Sequence, residues 1–266
     1  MRILLSNDDG IRSPGLWAAA RELSTRARVT VVAPDREQSG VGTSVTFHQP
    51  LRLKKEDSDV SGVEAYSVEG TPADSIILAL RLPLVDGMPD LVVSGINEGA
   101  NLGDDVFISG TVGAALQGYF YGISAISISV GAPQVSDFGT AAMVAGLLAT
   151  RIKNGSLPGK ILLNVNLPNV PLREIQDVRV TRLAGRSYAD EIQEGHDGRR
   201  KYYWIARGMA QWHAREDTDH WAVERKMVSV TPLVASPLRP LRSVLEKMTA
   251  EVFRELHQSC EAGRRG

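Results

Sequence analysis

The sequence predicts an α/β protein with a doubly wound, mostly parallel sheet, an extended C-terminal arm or hairpin, and a terminal helix. Three observations predict it. The first thirty-odd residues read strand, helix, strand. The apolar runs that follow are short, and segments of helical periodicity separate them, an alternation that a parallel sheet requires. Between Gly185 and Arg225 the chain turns charged and loses long periodicity of either kind.

Arg2 to Leu5 favours a buried strand that breaks at Ser6-Asn7-Asp8-Asp9-Gly10, and Pro14-Gly15 precedes a helix through about Leu23. Val29 to Ala33 is a second strand, ending at Pro34-Asp35. Thr71 reads as an N-cap with Pro72 in the first helical position, and Ile76 to Leu82 continues that helix. Leu91 to Val93 is the next strand. A Gly- and Asn-rich loop, Gly95 to Gly103, leads to Ser109-Gly110-Thr111 and a helix of small residues through about Tyr121. Ile126 to Val130 and Ile161 to Val165 are strands flanking a helix over Ala141 to Ile152. At Asn166 to Pro171 the pattern changes, which divides a core, 1–169, from a C-terminal segment, 170–266. That segment carries an arm with Trp204, Trp212 and Trp221, a strand at Val228 to Val230, a helix from Leu241 to Leu256 and a charged tail from Glu261. The aromatics of the arm either pack against a second subunit or fold back on the parent domain.

With 266 residues, 43% of them hydrophobic, the chain can bury a large core. Thirty Lys plus Arg against 31 Asp plus Glu leave a net charge of -1, too little field to draw a nucleic acid polymer or an anionic membrane. Any anionic ligand must be held locally. The single cysteine, Cys260, rules out an intrachain disulfide, and the apolar start is too brief for a signal or membrane span, so a cytoplasmic protein is expected.

Asp8 and Asp9 fall just past the first strand, where an open α/β sheet places its ligand. Adjacent carboxylates repel unless a cation or proton lies between them, and hard ions such as Mg²⁺ or Mn²⁺ favour such oxygens. An Asx turn capping the next helix is the plainer alternative. A parallel sheet brings the loop Pro34 to Gly40 to the same edge, where Ser39 offers a neutral oxygen, and the strand before Asn97 delivers an amide oxygen there too. Asn101 follows closely. Ser109-Gly110-Thr111 opens a helix whose free N–H groups and hydroxyls suit a phosphate, although a plain N-cap would look the same. Together, three strand ends supply carboxylates, neutral oxygens and an anion cradle, the parts of a metal-assisted phosphoryl transfer. No His-Glu-x-x-His, Cys-x-x-Cys or Gly-x-Ser-x-Gly motif is present.

The blocks Ser6-Asn7-Asp8-Asp9-Gly10, Val32-Ala33-Pro34-Asp35-Arg36, Gly70-Thr71-Pro72-Ala73-Asp74, Val93-Ser94-Gly95-Ile96-Asn97, Asn101 to Val106 and Ser109-Gly110-Thr111-Val112, in that order, closely resemble the SurE (survival protein E) nucleotidases. The resemblance implies a Rossmann-like core and one divalent metal ion per subunit held by Asp8, Asp9, Ser39 and Asn97. It places Asn101, Ser109, Gly110 and Thr111 near the phosphate. It further implies a homodimer or homotetramer built partly through the arm and an exchanged C-terminal segment, and hydrolysis of nucleoside 5'- and 3'-monophosphates. Asp8 or Asp9 could also accept the proton of an attacking water. Two rivals remain: an aspartyl-phosphate mechanism through Asp8, and a nucleotide-binding sensor without turnover.

Overall fold

The computed structural model describes residues 1–131, 137–157, 159–185, 190–207, 215–233 and 238–262. Trp212 and the tail from 263 onward, singled out in the sequence, lie outside the described residues. The strands are β1 (Arg2–Ser6), β2 (Arg28–Pro34), β3 (Leu53–Glu56), β4 (Glu64–Val68), β5 (Leu91–Glu98), β6 (Ser124–Val130), β7 (Leu162–Leu167), β8 (Val178–Val180), β9 (Asp190–His196), β10 (Lys201–Arg207) and β11 (Val228–Pro232). The helices are α1 (Pro14–Ser24), α2 (Pro72–Arg81), α3 (Gly110–Phe120), α4 (Gly139–Lys153), α5 (Asp219–Glu224) and α6 (Leu238–Ala262).

Nine strands form one sheet in the order β3-β4-β2-β1-β5-β6-β7-β11-β8. From β4 to β7 every neighbouring pair is parallel, and only β3 and β11 run antiparallel to the strand they meet in that block. A parallel sheet needs cover on both faces, and the sequence supplies it through alternation. Ile3, Leu5, Val93, Ile126 and Leu163 share a core with residues of α1, α4 and α6, whereas Leu4, Val92, Ala125 and Leu162 join residues of α2 and α3. Thr71 and Asp74 close a reciprocal capping box at the start of α2, with Pro72 at its first position. Asp74 also accepts from the N–H and hydroxyl of Thr46, at 2.9 and 2.7 Å, which ties the long loop after β2 to that helix.

Several elements differ from the sequence expectation. The strand β3 reads Leu-Lys-Lys-Glu, an edge strand whose charges suit its exposure and hide it from any apolar pattern. β5 runs to Glu98 through a register shift between Ser94 and Asn97, so the start of the expected Gly95 to Gly103 loop is strand. Among the described residues of the stretch expected as arm, 190–207 is hairpin, and Trp221 instead sits on α5 with the Arg225 guanidinium 5.0 Å from its ring centroid. Past residue 169, β8 and β11 complete the same sheet.

The chain goes from β1 outward to β2 and β4, then returns to the other side of β1 as β5 and continues to β6 and β7. β1 hands over to α1 on one face and β5 to α3 on the other. Their loops diverge at the carboxyl edge, the switch point where a doubly wound sheet places its ligand crevice.

Candidate active site

Asp8 and Asp9 lie at that switch point, just past the end of β1. Asp8 is buried, and its carboxylate accepts from both the hydroxyl and the backbone N–H of Thr111 in the first turn of α3. Gly110 makes this approach feasible: a Cβ there would stand 2.8 Å from Asp8 Cβ and 3.1 Å from the Gln38 carbonyl oxygen. The loop after β2 is pinned from below, since Gln38 N–H donates to the Asp8 carbonyl at 2.7 Å and Ile11 N–H to that of Pro34 at 2.8 Å. Three loops thus converge on one aspartate.

Burial pushes the Asp8 carboxyl up, against the Thr111 bonds that pull it down. Asp9 is pushed up to about 7, first by burial and then by the charge of Asp8, with Glu37 and Glu98 adding to it. The Oδ2 of Asp9 is buried without a hydrogen-bond partner, as are the Oδ1 of Asn7 and of Asp35. Such orphaned oxygens in an acidic crevice fit a cation, which would supply the missing partner and relieve the repulsion. Among the described residues no group of three or more His, Cys, Asp or Glu is placed to hold a metal, so a cation held by the pair would take neutral oxygens for the rest of its shell. Asn97 suits that need. It is buried at the end of β5, and its amide nitrogen donates to the Gly99 carbonyl at 2.6 Å, leaving Oδ1 for a ligand. Its backbone position depends on Gly95, whose φ of +133° and 2.2 Å approach of a Cβ to the Ile128 carbonyl admit only glycine.

Ser39 stands apart from this group. It is exposed, and its hydroxyl donates to Glu37 Oε1 at 2.7 Å. Glu37 is itself close enough to raise both aspartates, so Ser39 lies on the rim of the same acidic site.

At the start of α3, Ser109 is buried and caps the helix by accepting from Val112 N–H at 3.2 Å. Asn101 is buried too, held by residues to which no functional reading was attached in the sequence. Asn166 accepts from Asn101 N–H at 2.8 Å and donates to its carbonyl at 3.1 Å. Asn164 donates to the same carbonyl at 2.8 Å, and Asn101 Nδ2 donates to Ser129 Oγ at 2.9 Å. The available signal was the alternation in Asn164-Val165-Asn166: two amides on one face of a strand otherwise built of Leu and Val. Thr111, expected beside the phosphate, spends its hydroxyl and N–H on Asp8 and joins the cradle to the carboxylates.

Residues 3–190 match the family described as Survival protein SurE. The chain belongs to the SurE family. A relative from Dehalococcoides mccartyi (strain CBDB1), named 5'-nucleotidase SurE, is 49% identical over 235 residues, 88% of each chain. One of the same name from Legionella pneumophila (strain Lens) is 46% identical over 234 residues, 88% of this chain and 90% of the relative. The crystal structure of the SurE protein from Aquifex aeolicus superposes with a TM-score of 0.75 at 42% identity, covering 92% of this chain and all of that one. The SurE match takes in each of the site residues named above, while α5 and β11 lie beyond residue 190.

Proposed function

We infer that this SurE protein is a 5'-nucleotidase, hydrolysing nucleoside 5'-monophosphates to nucleoside and phosphate, and that it acts on 3'-monophosphates as well. The observation that carries the reading is the junction of Asp8 with the first turn of α3, which sets a carboxylate pair against an anion cradle at the switch point. Its nucleotidase-named relatives support the substrate class.

In this reading one divalent ion per subunit, Mg²⁺ or Mn²⁺, is held by Asp8, Asp9, Asn97 and Ser39, the last after its hydroxyl leaves Glu37. When bound, the ion supplies Lewis-acid charge for a phosphate oxygen and lowers the pKa of water. Thr111 fixes Asp8 in place. Gly110 N–H and Ser109 face the phosphate, where donors at a helix start stabilise charge that builds in the transition state. Asn101 orients the phosphate through its amide. Whichever of Asp8 and Asp9 keeps a free oxygen takes the proton of the attacking water.

The exposed Ile192, Tyr202, Tyr203, Trp204 and Ile205 on a two-stranded hairpin support a homodimer or homotetramer, because such a hairpin with bare aromatics is marginal alone in water. No helix among the described residues is long and apolar enough to cross a membrane, and the setting we propose is cytoplasmic.

Phosphate release from AMP by EDTA-stripped protein, with and without Mn²⁺ or Mg²⁺ and beside Asp9→Asn, tests the reading. Turnover that needs metal and collapses in Asp9→Asn is the expected result. A folded, metal-loaded wild type that binds AMP and releases no phosphate overturns it in favour of a nucleotide sensor.

A further inference from the structure

The turn that carries Asn101 is anchored at both ends. Its core side is held by Asn164, Asn166 and Ser129, as described. Two residues on, the N–H of Gly103 donates to Asp219 Oδ2 at 2.8 Å, across 116 positions of sequence. Asp219 is fully buried, and its Oδ1 accepts from Ala184 N–H and His220 N–H at 2.8 Å each. A buried carboxylate is costly unless it is hydrogen-bonded, and here three N–H groups bond it.

The surroundings brace it further. Asp219 N–H donates to the Arg182 carbonyl at 2.9 Å, and Arg182 N–H to the Asp217 carbonyl at 2.8 Å, so the segments at 182–184 and 217–219 are laced together. On the other side, Gly103 adopts a φ of +55° and opens the short 3-10 turn Gly103–Phe107, which runs directly into the Ser109 cap of α3 through Ser109 N–H to the Asp105 carbonyl at 3.0 Å. One carboxylate therefore sets where the turn between Asn101 and Ser109 begins.

We propose that Asp219 is a positioning residue of the nucleotidase site: its carboxylate fixes the turn at 101–103, and through it the amide of Asn101, in the geometry that receives the phosphate. The proposal rests on the reading of Asn101 as a phosphate contact. Asparagine at 219 keeps the shape but offers one oxygen where two are used, and turns an NH₂ against a backbone N–H.

The test measures kcat and KM for AMP with Mn²⁺ on the full chain carrying Asp219→Asn, Asn101→Ala, both together, or Thr218→Ala. Thr218 caps α5 and stands next to Asp219 without touching the site turn, so it reports loss of local stability alone. Asp219→Ser, smaller and still able to accept, replaces Asp219→Asn if the latter does not fold. We expect kcat/KM to fall roughly 10- to 100-fold in Asp219→Asn, as a misplaced contact group would cause. Asn101→Ala should fall comparably, and the double variant no further. Thr218→Ala should lower Tm and leave kcat/KM within about twofold. A folded position-219 variant with wild-type kcat/KM, or a double variant showing the product of the single losses, overturns the proposal. If Asn101→Ala is unimpaired, the proposal falls with that contact while the nucleotidase reading stands. A wild type without turnover overturns both.

Discussion

Replacing Gly110 by alanine places a methyl group between the first turn of α3 and Asp8. Built on the present backbone, that Cβ lies 2.8 Å from Asp8 Cβ, 3.0 Å from Asp8 Oδ2 and 3.1 Å from the Gln38 carbonyl oxygen. Ordinary contacts between such atoms lie at about 3.5 to 4 Å, so helix and carboxylate must part by roughly 0.5 to 1 Å. Overpacking of this kind costs about 1 to 3 kcal/mol. Alanine's better helix propensity returns at most about 1 kcal/mol. The net destabilisation is then about 0 to 2 kcal/mol, a fall in Tm of at most about 8 °C at about 2 to 4 °C per kcal/mol for a chain of this size. Activity should suffer more than stability, because a shift of about 1 Å between reacting groups can cost on the order of 100-fold in rate. Thermal unfolding and AMP turnover with Mn²⁺ measure the two effects. Gly185→Ala, whose Cβ would meet nothing within 4 Å, serves as the neutral control. Wild-type kcat/KM in Gly110→Ala would refute the claim that the carboxylates work against the helix start.

Three further outcomes follow from the same geometry. In metal-stripped protein Asp9 titrates at about 7, against an ordinary 3.8 in the unfolded chain, so between those values the folded state holds more protons. Stability must then decline as pH rises through that window: Tm of the stripped protein should drop from about pH 5 to about pH 7.5, less steeply in Asp9→Asn, and Mn²⁺ should raise Tm more at the higher pH. A stripped wild type whose Tm climbs across the window contradicts this. Asn166→Ala removes two buried hydrogen bonds to the backbone of Asn101 and should cost about 1 to 3 kcal/mol in denaturant unfolding with a raised KM for AMP; an unchanged KM would separate the clamp from function. Trp204→Glu with Ile205→Glu puts one charge on each bare face of the hairpin and should reduce the mass read by light scattering while leaving the far-ultraviolet dichroism intact, whereas an unaltered oligomer would place the contact elsewhere.

What the sequence made legible divides along physical lines. The parallel core was readable because strands covered on both faces must be apolar throughout, and Ile3 to Leu5 or Ile126 to Val130 have few other places to go. The cap of α2 was readable because Thr71, Pro72 and Asp74 act within one turn. β3 was illegible because Lys54 and Lys55 on an edge strand answer to solvent and not to a core. The arm's limits were blurred for a related reason: α5 is only six residues long, and its Trp221 looked like one more aromatic of the hairpin. In the site, Asp8, Asp9 and Asn97 follow from strand ends, which topology brings together once the strand order is guessed. The residues that hold Asn101 do not. Asn164, Asn166 and Asp219 act through backbone groups 63 to 65 and 116 positions away, and no local spacing encodes such a bond.

The distribution of these anchors bears on how the site is built. Carboxylates and cradle lie on loops whose positions the sheet edge alone would leave loose, and polar side chains buried in the sheet replace the missing regular structure. Asn166 gives the backbone of Asn101 a donor and an acceptor, as a neighbouring strand would, and Asp219 gives Gly103 the acceptor that a continuing helix would. The buried side-chain oxygens left without a partner, by contrast, include those of Asn7 and Asp9 just past β1 and of Asp35 just past β2. A fold that satisfies the backbone of a loop with side chains borrowed from a distant strand and helix, yet leaves buried oxygens of Asn7 and Asp9 bare, fits the proposed reading in which those oxygens meet a ligand. A cation bound there would offset the cost of burying them, so on the proposed reading metal affinity and the pH dependence of the stripped protein should report on the same carboxylate pair.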